Sequence, residues 1–154
     1  MLNNNATQQE MFEYVMTKLF EQGRPAIAGE GCRYRFEDNG VMLKCGVGHL
    51  IPDSVYEIWM DDTTSTGGDT SWSGISGLGG NDEDEDEDDE FRTSTGQSRF
   101  NPSVMPDYLL KLENQFFLGE IQFFHDNIHF WDDENVFRQR AYVFALDHKL
   151  AGQF

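Results

Sequence analysis

Cys32, Cys45 and His49 come closest, by type and spacing, to a chemical site in this chain. Thiolate and imidazole are the ligands zinc prefers in a tetrahedral structural site. Their C-x12-C-x3-H pattern lacks the close cysteine pair of the stronger zinc motifs. A fourth ligand would have to come from His125, His129 or an acid. Two buried, reduced cysteines packing as small apolar groups are the plainer reading of the same residues. A catalytic thiolate would need an adjacent base and positive surroundings. His49 would be the base, and Arg33, Arg35 and Lys44 would supply the charge, but no third residue stands out to orient the pair. The sequence is therefore read as that of a protein without catalytic residues. His125 and His129 stand four apart, yet two surface histidines near a helix end account for that spacing without a metal. Gly46-Val47-Gly48 matches neither a Walker loop nor a dinucleotide fingerprint. Its glycines are expected to permit a bend or a close backbone approach.

The second chemical feature is charge. Asp82, Glu83, Asp84, Glu85, Asp86, Glu87, Asp88, Asp89 and Glu90 form one unbroken acidic run. They supply over half of a net charge of -17, set by 28 acids against 11 bases. No packed core holds nine adjacent unpaired carboxylates, so the run is either solvated or meets a basic surface elsewhere. It lacks the spaced ligands and central glycine of a calcium loop. Duplex DNA carries one charge per about 1.7 Å of axis. An extended peptide carries one side chain per roughly 3.3 Å, so nine acids alone fall well short of a duplex. Asp61, Asp62 and Asp132 to Glu134 are the acids expected to widen the patch.

Such a chain is a poor direct ligand for nucleic acid or anionic lipid, both of which call for Lys and Arg. A basic protein surface is the natural complement. No stretch approaches the roughly 20 apolar residues of a membrane span. The opening MLNNNATQQE lacks the features of a signal peptide. A cytoplasmic setting with reduced cysteines is the expectation.

The elements that must position these residues are partly legible. Thr7 to Glu10 reads as a capping box, followed by Phe12, Val15, Met16, Leu19 and Phe20 at helical spacing, with Gly23 and Pro25 as stops. Residues 32–37 and 41–47 flank Asn39-Gly40, the signal of a type I′ hairpin. With Asp38 opposite Val41, Tyr34 faces Cys45 and Cys32 lies diagonally from Cys45. Asp53 is expected to cap a short helix carrying Val55, Tyr56, Ile58 and Trp59. Residues 61–99 are rich in Gly, Ser, Thr and Asp, the composition of a loop. Trp72, Ile75 and Leu78 are scattered apolar residues within it. Pro106-Asp107 opens a helical pattern to about Asp126, with Leu109, Leu112, Phe116, Phe117, Ile121 and Phe124 facing inward. Asp132-Asp133-Glu134 opens another, carrying Val136, Phe137, Val143, Phe144, Leu146 and Leu150. The expected fold is α+β: a small helical domain packed on a β-hairpin, with a long acidic loop insertion. Residues 1–60 hold the helix, hairpin and short helix, 61–101 the insertion, and 102–154 helices that pack back on 1–60.

The stretch Gly31-Cys32-Arg33-Tyr34-Arg35, then Gly40, then Lys44-Cys45-Gly46-Val47-Gly48-His49-Leu50-Ile51-Pro52-Asp53 resembles a motif in a family of small phage and prophage proteins. There a C-x-Y-R segment precedes G-x-K-C-x-V-G-x-L-I-P-D. The likeness covers about 50 residues, Thr7 to Tyr56, and brings no catalytic residues with it. It implies an accessory protein of the host cytoplasm. Residues 61–99 are longer and more acidic than the pattern. Taken together, the sequence points to a phage inhibitor of a host nucleic-acid-handling or anti-phage defence protein, acting partly by nucleic-acid charge mimicry. The alternative is a structural or regulatory phage protein, zinc-stabilised, with a passive acidic loop.

Overall fold

The computed structural model describes residues 2–28, 31–56, 58–61 and 104–154. The acidic run Asp82 to Glu90, Asp62, and Trp72, Ile75 and Leu78 lie outside the described residues. The described architecture is α+β, with helices packed around an antiparallel hairpin.

Helix α1 spans Gln8–Gln22. Its capping box is complete: Thr7 accepts from the Glu10 amide, and the Glu10 carboxylate accepts from the Thr7 amide at 2.8 Å. Gly23 ends it in the left-handed region (φ 70) and donates to the Leu19 carbonyl, a conformation that favours glycine. Met11, Phe12, Val15, Met16 and Leu19 form its buried stripe.

Strand β1 (Ile27–Ala28) pairs with β2 (Gly31–Cys32), and β3 (Arg35–Asp38) pairs with β4 (Val41–Lys44), both antiparallel. The second pair has the expected register, with Asp38 opposite Val41 and both Asn39 (φ 53) and Gly40 (φ 81) left-handed. The Cys45 amide donates to the Tyr34 carbonyl, which carries the alignment one step further. The strands are shorter than expected. Cys32 belongs to a separate ribbon opposite Ile27, and the chain after Lys44 turns into helix α2 (Gly46–Leu50). The cause is local: the Cys45 sulfur accepts from the Gly48 amide and caps the helix at the point where the ladder ends. Asp53 caps nothing. It lies in a turn, and the segment closes with a 3-10 helix at Ile58–Asp61.

The second half also divides differently. Lys111, with ψ 125, separates α3 (Asp107–Leu110) from α4 (Leu112–Asp126). Side chains satisfy the carbonyls released there: Asn114 donates to Tyr108 O at 2.9 Å and Gln115 to Leu109 O at 3.1 Å. The break resets the helix face. Phe117, Leu118, Ile121 and Phe124 are buried, whereas Leu112 and Phe116 point to solvent. A 3-10 turn at Ile128–Trp131 leads to α5 (Glu134–Asp147), capped by the Asp133 carboxylate on the amides of Asn135 and Val136. On α5 the inward residues are Phe137, Ala141, Phe144 and Ala145, while Val143 and Leu146 are exposed.

One core joins the two halves. Phe12 stacks on Phe144 (5.7 Å, 7°), and Phe117 and Phe124 meet Phe144 edge-on. Phe154 closes this cluster against Phe12, Phe20 and Phe137. Each fully buried Phe contributes about 1.5–3 kcal/mol by burial. The aromatic residues read from sequence as core are, in the main, core.

Candidate functional site

His125 closes α4 and is wholly buried, because α4 turns its last turn toward the β1–β2 ribbon. Its Nε2 accepts the Ala26 amide at 2.8 Å. Its Nδ1 lies 2.7 Å from the Asp126 carboxylate and 3.5 Å from the Cys32 sulfur. Gln122, one turn earlier, donates to Cys32 (2.8 Å) and to Asp126 (2.8 Å), and its carbonyl accepts the Val47 amide. One amide and one imidazole thus tie α4 to the ribbon and to the start of α2. The ligand atoms of Cys32, His125 and Asp126 all lie within 4.8 Å of one another. A thiol, an imidazole and a carboxylate at that spacing are a donor set for a borderline-soft divalent cation.

The protonation of the cluster follows from its bonds. An amide N–H directed at Nε2 requires a lone pair there, so the ring is neutral with its proton on Nδ1, facing Asp126. Burial resists a charge on His125; Asp126 and Cys32 favour one, and the Ala26 amide opposes it. Burial would raise Asp126, but hydrogen bonds from His125 and Gln122 hold it below the ordinary carboxylate value. Contact with Cys45, then burial, pushes the Cys32 thiol far up. The thiol therefore stays protonated. Cys32 and Asp126 also share one ring nitrogen, whereas a nucleophile–base–orienter relay uses both.

The three residues read from sequence as metal ligands are only partly brought together. Cys32 and Cys45 are both free thiols and come near each other, but not across the hairpin as expected: Cys32 lies on the separate β1–β2 ribbon and Cys45 caps α2. His49 stands apart on α2, beside a cavity of about 60 Å³ lined by Leu2, Tyr14, Lys44 and Tyr108 among others. Its Nε2 is buried, and no described residue offers it a hydrogen bond. Burial, reinforced by Lys44, His125, Lys18 and Arg35, pushes its pKa down to about 3. In its place the cluster takes His125, one of the alternatives open in the sequence, and Asp126. Nothing at the spacing level singled out Asp126 or Gln122, because they meet Cys32 only through tertiary packing. His129 is exposed, near Asp132 at 4.0 Å.

The motif residues form a second polar joint. Asp61 is 5% exposed, and its carboxylate accepts the amides of Tyr34 (2.7 Å) and Arg35 (3.0 Å) and the Tyr56 hydroxyl (2.8 Å). Arg33 donates to its carbonyl. Asp61 is thus spent inside the fold and cannot widen an acidic patch, because three donors of the hairpin's first strand and its exit need it. Arg35 lies over the Tyr56 ring at 4.0 Å, donates to the Ile51 carbonyl and pairs with Asp53 at 2.8 Å. Lys44 pairs with the same Asp53 oxygen at 2.7 Å. A Cβ on Gly48 would stand 2.0 Å from the Tyr34 carbonyl oxygen, and one on Gly46 2.6 Å from the Ile121 side chain. These glycines make the close backbone approach expected of them. The stretch that resembles the phage motif is, in this chain, a structural joint between hairpin, α2 and α4.

On the outside, Asp132, Asp133 and Glu134 are exposed. Asp133 and Glu134 edge a surface groove of about 370 Å³ whose walls are Leu19, Phe20, Trp131 and Phe137. Among protein-family models, curated proteins and solved structures, none matches this chain at a significant level.

Proposed function

We propose that this chain is an acidic accessory protein that acts by binding a basic surface on another protein. In the phage setting suggested by its motif, that protein is a host nucleic-acid-handling or defence factor, which it inhibits partly by imitating nucleic-acid charge. The observation that carries this reading is the charge balance, 28 acids against 11 bases with nine of the acids contiguous. The described geometry supports it indirectly. The cysteines, His125 and Asp61 are engaged in internal joints, whereas Asp132 to Glu134 face outward. Opposed charged surfaces steer association, so complex formation should weaken steeply with added salt. The test is pull-down of host proteins at low and high salt by the intact chain and by a variant with Asp82 to Glu90 replaced by Ser and Gly. A partner retained equally at both salts would refute the electrostatic reading. A partner lost only from the variant places the contact on the run, and one kept by the variant places it on the folded body.

A second reading, a structural or regulatory phage protein held by zinc, has one specific observation in its favour: the Cys32, His125 and Asp126 cluster. These three groups would leave the fourth position of a tetrahedral site to water. The donor types fit zinc, and the tautomer is the obstacle. Ligation through Nδ1 moves the remaining ring proton to Nε2, where the Ala26 amide already donates. Zinc would therefore have to displace that bond as well as the bonds of Gln122. Metal analysis of protein purified without added zinc, with melting curves with and without chelator, decides the matter. Stoichiometric zinc and a chelator-sensitive transition would establish it, and metal-free protein with an unmoved transition would end it.

A further inference from the structure

The outer face of α4 carries an anomaly. Leu112, Phe116 and Phe123 are 79%, 73% and 64% exposed. At 100° per residue, positions 112, 116 and 123 fall on one line along the helix, with Gly119 between them. That line lies opposite the buried residues Phe117, Leu118, Ile121 and His125. A helix that is apolar on both faces normally has something on both, and a row of large exposed apolar side chains marks an interaction surface.

Charge restricts what covers it. α4 contains no Lys or Arg, and Glu113 and Glu120, also seven apart, run along one flank of the stripe. A second copy of the chain would set these acids against their equivalents and bring together two bodies of charge -17 each. Like charges across an interface disfavour that pairing. From this stripe and its acidic flank, we infer that the outer face of α4 docks an amphipathic, basic helical segment of a partner protein. This deepens the function proposed above and rests on it, naming the folded-body contact that such a partner would make. Leucine-type residues of the partner lie on Leu112, Phe116 and Phe123, in the manner of a helix laid on an apolar face. Its Lys or Arg residues reach Glu113 and Glu120. The stripe is about 16 Å long, the length of three helical turns.

The experiment titrates the full chain with a fluorescent Leu/Lys peptide of about fourteen residues, patterned as an amphipathic helix. Two controls accompany it: the same composition in scrambled order, and a Leu/Glu peptide of the same pattern. The patterned basic peptide should bind at least about tenfold tighter than the scrambled one. A double variant, Phe116→Ser with Phe123→Ser, should remove that difference while circular dichroism stays unchanged, since both side chains lie outside the core. The advantage of the patterned peptide should persist when Asp82 to Glu90 are replaced by Ser and Gly. Equal binding of both basic peptides, unaffected by the double variant, would overturn the docking face and leave the charge reading standing. Binding of the Leu/Glu peptide alone would overturn both. A concentration-dependent dimer abolished by the double variant would assign the face to a second copy and overturn the inference.

Discussion

His49 offers the most quantitative test of the folded arrangement. Its imidazole projects from α2 beside the cavity lined by Leu2 and Tyr14, and no described residue bonds its Nε2. Burial, with Lys44, His125, Lys18 and Arg35 in the vicinity, lowers its pKa from 6.5 to about 3. The folded state thus keeps His49 neutral over a range in which the unfolded chain protonates it. Protons bind preferentially to the unfolded state, so stability is full above pH 6.5 and is lost as pH falls toward about 3. Working the linkage through those two values gives a loss of about 2 kcal/mol at pH 5 and about 3 kcal/mol at pH 4. Against a total stability of about 5–15 kcal/mol for a domain of this kind, that is readily measured.

The perturbation is His49→Leu, because Leu2, Leu50, Ile51 and Tyr108 already line the adjacent cavity. At pH 7 the substitution removes an unpartnered buried nitrogen and should cost little. Urea unfolding of both proteins at intervals from pH 7 to pH 4 gives the assay. The difference between the two profiles isolates His49 from groups titrating in parallel. Asp53 is lowered by its bond to Lys44, so its loss of stabilisation falls below the ordinary carboxylate value and outside this window. The variant should be the more acid-resistant of the two by the amounts above. Parallel profiles would refute the reasoning, and would mean that His49 is solvated or paired in solution.

Gly48→Ala should be far more damaging than Gly46→Ala. The first sets a methyl 2.0 Å from the Tyr34 carbonyl oxygen, for a loss above about 3 kcal/mol, and the second meets the Ile121 side chain at 2.6 Å and its carbonyl oxygen at 2.8 Å, a milder overlap, for about 1–3 kcal/mol. Thermal melts of the two variants check the order. Asp61→Ala leaves the Tyr34 and Arg35 amides and the Tyr56 hydroxyl without their acceptor, and should cost about 3 kcal/mol or more at about 1–3 kcal/mol per abandoned buried donor. An unchanged denaturation midpoint would show that Asp61 is not the anchor. Gln122→Ala should destabilise by about 1–3 kcal/mol through Cys32, Asp126 and Val47 together, and a metal-bound form should reduce that loss, since zinc would take over the same two ligands.

What was legible in the sequence was legible because it was local. The capping box at Thr7, the glycine stop at Gly23 and the Asn39-Gly40 turn each depend on residues within a few positions of one another, and all three form as read. On α4 the reading of Phe117, Ile121 and Phe124 as inward holds, whereas Leu112 and Phe116 were misread because the non-helical Lys111 breaks the helix just before them. Lys111 carries no proline or glycine signature, and the compensation comes from Asn114 and Gln115 side chains reaching back to carbonyls. Hairpin register did not place the cysteines, because Cys32 lies on the other ribbon. The partners Cys32 meets were not legible either, since Gln122, His125 and Asp126 lie some ninety residues away and share only a contact in space.

Asp61 shows where charge counting fails. In the sequence it adjoins Asp62 and reads as one more surface acid, a member of the patch that includes Asp132 to Glu134. In the fold it accepts three donors from the very segment that resembles the phage motif. A carboxylate with that many bonds is a structural group, and its formal charge is not available to a partner. The same distinction applies to Asp53, exposed yet shared between Arg35 and Lys44. The acids still offered by the described body are those without such partners, and Glu113 and Glu120 on α4 are among them. They lie beside Leu112, Phe116 and Phe123, the most exposed large apolar side chains among the described residues, so the charge most useful for binding coincides with the surface most in need of cover. A partner that used charge alone would have no reason to distinguish α4 from any other acidic surface, and a partner that used both would.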